Sequence, residues 1–166
     1  IILPGTKSTM ADLLWLRQNG LEAAVLKAAS GGTPILGICG GYQMLGRELR
    51  DPDSTDGGGT LRGMGLLPCV TVFRREKTRT RVTGAVLPLS GLWAPLSGRS
   101  FGGYEIHMGE TLSDAPFARL DTGRADGCVS GNILGSYVHG LFDGGDFAAA
   151  LAALLRKRKG LPPVPA

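Results

Sequence analysis

The chain has 166 residues, of which 43% are hydrophobic, and a formal net charge of +4; this length suits one domain with one core. No apolar run approaches the roughly 20 residues of a membrane helix and no signal-peptide pattern opens the chain, so we expect no membrane partner. Three widely separated cysteines without a Cys-x-x-Cys pair predict neither a disulfide framework nor a metal site, and they favour the cytoplasm.

The first third of the chain predicts alternating strands and helices. A strand ends at Leu3, helices start near Thr9 and Leu21, and a strand at 34–38 is followed by a helix that reaches Leu49. Helices between early strands predict an α/β fold with a mostly parallel, flavodoxin-like sheet flanked by helices. Because the chain opens directly on an apolar run, we interpret it as a piece whose first strands are missing.

The segment GICGGYQ, residues 37–43, carries the strongest chemical signal. A strand ends there at a small-residue turn with Cys39 at its apex, and a helix follows at once. Gly37 and Gly41 would permit the tight turn of a nucleophile elbow. The adjacent helix N-terminus would lower the pKa of the Cys39 thiol. The alternative interpretation is an ordinary buried cysteine beside a turn.

The remaining two thirds of the chain predict mainly strands. Residues 51–60, with three consecutive glycines, predict a flexible loop; the loop lacks the Lys-Ser/Thr of a phosphate-binding loop. The basic run 74–81 predicts a solvated or edge strand, and without interleaved aromatic residues it does not predict nucleic-acid binding. The predicted strands are 64–73, 78–87, 104–107, 115–120 and 132–138, and a last helix is predicted at 146–157.

A cysteine nucleophile needs a base, and the chain has two histidines. His139 closes the last predicted strand before the final helix, at the same sheet edge as Cys39, whereas His107 ends an earlier strand. A nucleophilic cysteine followed far downstream by a histidine is a common arrangement in such sites. We therefore predict His139 as the base, with an ordinary structural histidine as the alternative.

These residues together resemble a known family. GICGGYQ with the later YVHGLF resembles a class I, triad-type glutamine amidotransferase. Four further segments narrow the resemblance to the cobyric acid synthase family, over nearly the whole chain: LPGTKST from Leu3, GMGLLP from Gly63, the F-x-x-E-K-T of 73–78 and GYEIHMGET of 103–111. The resemblance implies that residues 1–166 are an N-terminally truncated glutaminase domain. Its partners would be glutamine and, through a missing N-terminal synthetase domain using ATP and Mg²⁺, a corrinoid.

In that family the whole enzyme amidates the b, d, e and g side-chain carboxylates of adenosylcobyrinic acid a,c-diamide, a step of cobalamin biosynthesis. The resemblance implies that Cys39 attacks the glutamine carboxamide and that His139 is its base. It implies no cofactor and no metal in this domain itself.

The resemblance also implies residues that bind substrate. The N–H of Gly40, with one from the loop around Gly5, would hold the oxyanion. Gln43 and the segment 103–108, which includes Tyr104, match positions that hold the α-amino and carboxylate groups of glutamine.

One position departs from the usual triad. Leu141 stands two residues after the histidine, where related enzymes carry a glutamate. The cobyric acid synthase group keeps only the cysteine and the histidine, so the departure fits the resemblance. The partner that orients His139 would then be a backbone carbonyl or Glu105.

Three alternatives remain open. The cobyrinic acid a,c-diamide synthase group, or a related amidoligase, shares GYEIH and the Cys/His pair, although LPGTKST and F-x-x-E-K-T favour the first family. A degenerate, non-catalytic binding module would not need Cys39 and His139. A hydrolase of flavodoxin-like fold would usually have an acid near the elbow, where this chain has Gln43.

Overall fold

The computed structural model describes residues 1–163, so the last three residues of the predicted domain 1–166 lie outside the described residues. The helices are α1 (Thr9–Gln18), α2 (Leu21–Ser30), α3 (Gly40–Leu45) and α4 (Phe147–Arg158), with a 3₁₀ helix at Gly91–Leu96. The first strands are β1 (Ile2–Leu3), β2 (Ile35–Ile38), β3 (Glu48–Asp51), β4 (Gly59–Arg62) and β5 (Val70–Val86). The later strands are β6 (Ser100–Leu112), β7 (Ala118–Leu120), β8 (Ala125–Asp126), β9 (Cys128–Ser130), β10 (Ile133–Ser136) and β11 (Val138–Gly145).

Two sheets share these strands. The first has the order β1-β2-β10-β9, with β1, β2 and β10 parallel and β9 antiparallel at one edge. Helix α3 packs on its three parallel strands. The predicted α/β fold with flanking helices is confirmed, and the parallel strands are concentrated in this sheet.

The second sheet is mostly antiparallel. Its main order is β11-β6-β5-β3-β4, and β7 and β8 extend it from β5. Only the pairing of β3 with β5 is parallel among its described ladders. Buried apolar side chains from both sheets and from all four helices form one connected core, as a chain of this length allows.

Several predicted boundaries are wrong. The helix predicted to reach Leu49 ends at Leu45, because Gly46 is extended and β3 follows. A Cβ on Gly46 would lie 2.9 Å from the Cys69 carbonyl oxygen, so two backbone segments meet there. Residues 51–60 were predicted to form a loop, but the last two of them are the first residues of β4.

The strands of the second sheet are longer than predicted. Two predicted strands, 64–73 and 78–87, merge into β5 from Val70 onward, and 104–107 is the middle of β6. The basic run lies in β5, where the register with β6 shifts between Phe73 and Thr78 and the side chains are mostly exposed. The predicted strand 132–138 is divided into β10 and β11.

Candidate active site

Cys39 lies between the last residue of β2 and the first residue of α3. Its backbone has φ 51° and ψ −110°, a conformation that costs a non-glycine residue about 1–3 kcal/mol. A Cβ on Gly37 would lie 2.7 Å from the backbone of Tyr42, and one on Gly41 would lie 2.1 Å from the Leu3 carbonyl oxygen. Gly37 and Gly41 are therefore required by close packing, and the predicted elbow is present.

The Cys39 thiol is buried, with 5% of the residue exposed. Its Sγ donates to the carbonyl oxygen of Ile106 at 3.5 Å. Burial raises the pKa of Cys39 to about 11, against a smaller lowering by the Gly40 N–H. The predicted lowering of this pKa by the helix N-terminus is therefore wrong: a helix of six residues does not offset the loss of water around the thiolate.

His139 lies beside Cys39, and Gly5 separates them. A Cβ on Gly5 would be 2.7 Å from His139 Cε1 and 3.5 Å from Cys39 Cβ. The His139 ring stacks on Tyr104, with centroids 5.2 Å apart and planes at 7°. Burial and the neighbouring charge of His107 lower the pKa of His139, which keeps the ring neutral and able to accept a proton.

His107 lines the cavity at Cys39, whereas His139 packs beside the cysteine without being one of the lining residues. The ring nitrogens of His107, however, face other groups. Nδ1 is 2.8 Å from the Gly109 carbonyl oxygen, and Nε2 is 3.6 Å from Glu105 Oε1. The ring stacks on Tyr137 with centroids 3.8 Å apart. This histidine is held on both sides by protein, so the geometry favours His139 as the base.

Glu105 does not orient His139, so that hypothesis is wrong. Glu105 pairs with Val138, and His139 is the next residue along that strand. Because successive side chains of a strand point to opposite faces of the sheet, Glu105 and His139 lie on opposite faces. It forms ion pairs with Arg124 and His107, and although burial alone raises its pKa, these two partners lower it.

Leu141, where relatives of triad type carry an acid, is fully buried in the core. A carboxylate at this position would be an unpaired buried charge, which is strongly unfavourable. The apolar residue is therefore the one that this packing permits.

The predicted substrate-binding residues fall into two groups. Gly40 lies against Thr6, whose backbone nitrogen would be 3.0 Å from a Cβ on Gly40. Gln43 is buried and lines the cavity; it accepts from Thr9 at 3.0 Å and donates to Tyr137 at 3.2 Å. Tyr104 is 44% exposed and packs on His139, outside the cavity lining.

A cavity of about 310 Å³ opens beside Cys39. Sequence reasoning missed several residues of its wall, although Thr6 and Lys7 follow the carboxyl end of β1 at the same sheet edge as Cys39. The others come from the first turn of α1, from the predicted flexible loop and from β5. Ile106, His107 and Met108, which also line the cavity, belong to the segment 103–108 already predicted to bind substrate. The missed lining residues are Thr6, Lys7, Thr9, Thr55, Asp56, Phe73 and Lys77.

Adding a single methyl group at Gly5 is expected to impair the glutamine hydrolysis that the sequence resemblance implies. In Gly5→Ala the new carbon would meet His139 Cε1 at 2.7 Å and displace the ring from Cys39. For the predicted base, such a displacement costs on the order of 100-fold in rate. Glutamate release from glutamine and thermal unfolding would be measured together, and we expect kcat to fall with little change in Tm.

The matched control is Gly102→Ala. A Cβ there meets no atom closer than 3.9 Å, so both kcat and Tm should stay near those of the unmodified protein. A Gly5→Ala protein with full activity would mean that His139 need not keep this position.

Within residues 1–163, no helix is long and apolar enough to span a membrane. In the same residues, no group of three or more His, Cys, Asp or Glu side chains could hold a metal ion.

Comparison with known proteins identifies relatives over the same residues. The family model of the CobB/CobQ-like glutamine amidotransferase domain matches residues 1–147. Cobyric acid synthase of Ruminiclostridium cellulolyticum is 48% identical over 97% of this chain and 33% of its own length. That of Citrobacter koseri is 49% identical over 99% of this chain and 34% of its own length. The chain thus spans about a third of the length of the curated relatives that it matches.

Solved structures share the fold. A crystal structure of a glutamine amidotransferase aligns with 96% of this chain and 78% of its own, with a TM-score of 0.58 and 18% identity. A glutamine amidotransferase from Thermotoga maritima aligns with 98% of this chain and 66% of its own, with a TM-score of 0.54 and 12% identity.

Proposed function

Because this chain belongs to the CobB/CobQ-like glutamine amidotransferase family, we propose that Cys39 and His139 hydrolyse glutamine within it. The observation that carries the proposal is the strained Cys39 at φ 51°, with His139 held beside it across Gly5. A strained backbone that holds one buried cysteine next to a neutral histidine is typical of a nucleophile paired with its base. A non-catalytic binding module would have no need of it.

The chemistry follows from the two side chains. His139 takes the proton of Cys39 as the sulfur bonds to the carboxamide carbon of glutamine, whose carbonyl oxygen becomes an oxyanion. The N–H of Gly40 and one from the 4–6 loop donate to that oxygen. The C–N bond then breaks, His139 returns the proton to the leaving ammonia, and water hydrolyses the glutamyl thioester.

The destination of the ammonia is proposed from the relatives. Their printed name, cobyric acid synthase, and the motifs LPGTKST and F-x-x-E-K-T support amidation of the b, d, e and g carboxylates of adenosylcobyrinic acid a,c-diamide, in cobalamin biosynthesis. ATP, Mg²⁺ and the corrinoid would bind a synthetase domain outside this chain. The cytoplasm is the proposed location, supported by three free cysteines among the described residues.

Covalent labelling tests the nucleophile. A glutamine analogue that carries a diazo-ketone in place of the carboxamide should label Cys39, because it presents its reactive carbon where the carboxamide lies. Peptide mass mapping would locate the label, and glutamine in excess should slow the labelling. A label on Cys69 or Cys128, both buried elsewhere in the core, would refute the assignment.

A further inference from the structure

Residues 51–58, here named the Asp51 loop, have a defined structure. The Asp51 side chain is 1% exposed and accepts from the N–H groups of Thr55, Asp56 and Gly58 at 2.9, 2.6 and 2.8 Å. It also accepts from the Thr55 hydroxyl at 3.0 Å. These bonds lower the pKa of Asp51 although burial opposes them. The prediction of a flexible loop is therefore wrong, since one buried carboxylate organises it.

The organised loop places Asp56 against the N-terminus of α1. Asp56 Oδ1 accepts from the Thr9 N–H at 3.2 Å, and Oδ2 accepts from the Met10 N–H at 2.7 Å. A carboxylate has about four lone-pair positions, so these two bonds leave acceptor capacity. Asp56 also lines the cavity at Cys39, and it is the single carboxylate among the described lining residues.

Asp56 and Cys39 both line that cavity and are linked by a chain of hydrogen bonds. Thr9, which donates its N–H to Asp56, also donates its hydroxyl to Gln43 at 3.0 Å. The N–H of Gln43 donates to the Cys39 carbonyl at 3.0 Å. In glutamine, two methylene groups separate the carboxamide carbon from the α-carbon, so a substrate with its carboxamide at Cys39 needs a separate acceptor for its α-ammonium among the other lining residues.

We propose that Asp56 accepts the α-ammonium group of glutamine and is a specificity-determining residue of this site. The inference rests on the proposed glutaminase function. Lys7 and Lys77 line the same cavity and supply the positive charge that the α-carboxylate requires. The pocket thereby matches a zwitterion rather than a simple primary amide.

The charge surroundings of Asp56 agree with a cationic ligand. Burial and the neighbouring carboxylates of Asp51 and Asp12 raise its pKa, although the N–H groups of Met10 and Thr9 lower it. An ammonium group bound there would offset the repulsion among these carboxylates.

The first test uses the unmodified, intact protein. Hydrolysis of glutamine is compared with that of 5-amino-5-oxopentanoate, which is glutamine without its α-amino group. A charge-assisted hydrogen bond to a partly buried carboxylate is expected to favour glutamine by about 10- to 100-fold in kcat/KM. Equal kcat/KM values for the two amides would overturn the proposal without any variant. A protein that hydrolyses neither would overturn the proposed function, and this inference with it.

The second test compares Asp56→Asn with Asp53→Asn. Asparagine keeps one acceptor for α1 but loses the charge, so the preference for glutamine should shrink towards 1, through a higher KM for glutamine alone. Asp53 lies in the same loop, pairs with Arg75 at 3.8 Å and does not line the cavity, so its variant should keep the preference. If Asp56→Asn lowered kcat/KM for both amides by the same factor, Asp56 would serve only to hold α1 and the proposal would fail.

Discussion

Replacing Cys39 by serine is expected to remove glutamine-dependent activity almost completely. The serine hydroxyl is a much weaker nucleophile than the thiolate that His139 generates, and no described hydroxyl group or thiol takes the place of Sγ at the apex of the elbow. We expect glutamate release from glutamine to fall by at least about a thousandfold. The measurement is glutamate formed by the intact protein under saturating glutamine, with circular dichroism to confirm folding.

Two controls separate the nucleophile from the fold. Amidation driven by added ammonium salt should survive in Cys39→Ser, because that chemistry belongs to the proposed synthetase domain. Cys128→Ala, which removes a fully buried thiol away from the cavity, should lower Tm yet leave glutamate release intact. Loss of both activities in a folded Cys39→Ser protein would show that the proposed division of labour is incorrect.

Replacing His139 by alanine is expected to have the second-largest effect. Without the imidazole, the thiol of Cys39, whose pKa burial raises to about 11, stays protonated near neutral pH. We expect glutamine hydrolysis to fall by about 10²–10⁴-fold, measured as glutamate release. Because we propose that the two residues act as a unit, the double variant Cys39→Ser/His139→Ala should be little worse than either single variant.

The pH profile gives an independent check on His139. Burial and the charge of His107 lower the pKa of this ring, and only its neutral form accepts the thiol proton. The acid limb of kcat/KM in the unmodified protein should therefore lie below the ordinary range for histidine. His107→Ala should cost less than His139→Ala, since both His107 nitrogens face protein groups. A His107 variant as inactive as the His139 variant would reverse the two roles.

The sequence predicted the elements that have strong local signals. Helices α1 and α2 start at the predicted residues, and α4 and strand β2 lie within about two residues of their predicted bounds, because glycines and apolar periodicity mark them. Such local signals do not determine where α3 ends or how far β5 extends. Gly46 leaves the helix because it meets the Cys69 backbone, and β5 continues through a charged stretch because β6 pairs with it beyond the bulge. Both are tertiary contacts.

In the candidate site, too, the features with local sequence signals were predictable and those that depend on tertiary contacts were not. The elbow and the far histidine could be read from glycine spacing and strand ends, and the structure brings Cys39, His139 and Gly5 together. The pKa of Cys39 could not be predicted from the sequence, because it depends on how completely α3, β2 and β6 exclude water. The position of Asp56 in the cavity wall could not be predicted either, since an organised loop and a flexible loop can have the same composition of Asp, Gly, Ser and Thr. What distinguishes them is the burial of Asp51.

The protonated resting state of Cys39 has a consequence for the durability of the protein. Peroxide and simple alkylating agents react with the thiolate, not with the thiol. A cysteine that is 5% exposed and has a pKa of about 11 offers these agents almost no target until an amide occupies the cavity and His139 takes the proton. The burial that weakens the proposed nucleophile at rest would thus shield it from oxidative damage, and the proposed mechanism confines its reactivity to the moments when substrate is present.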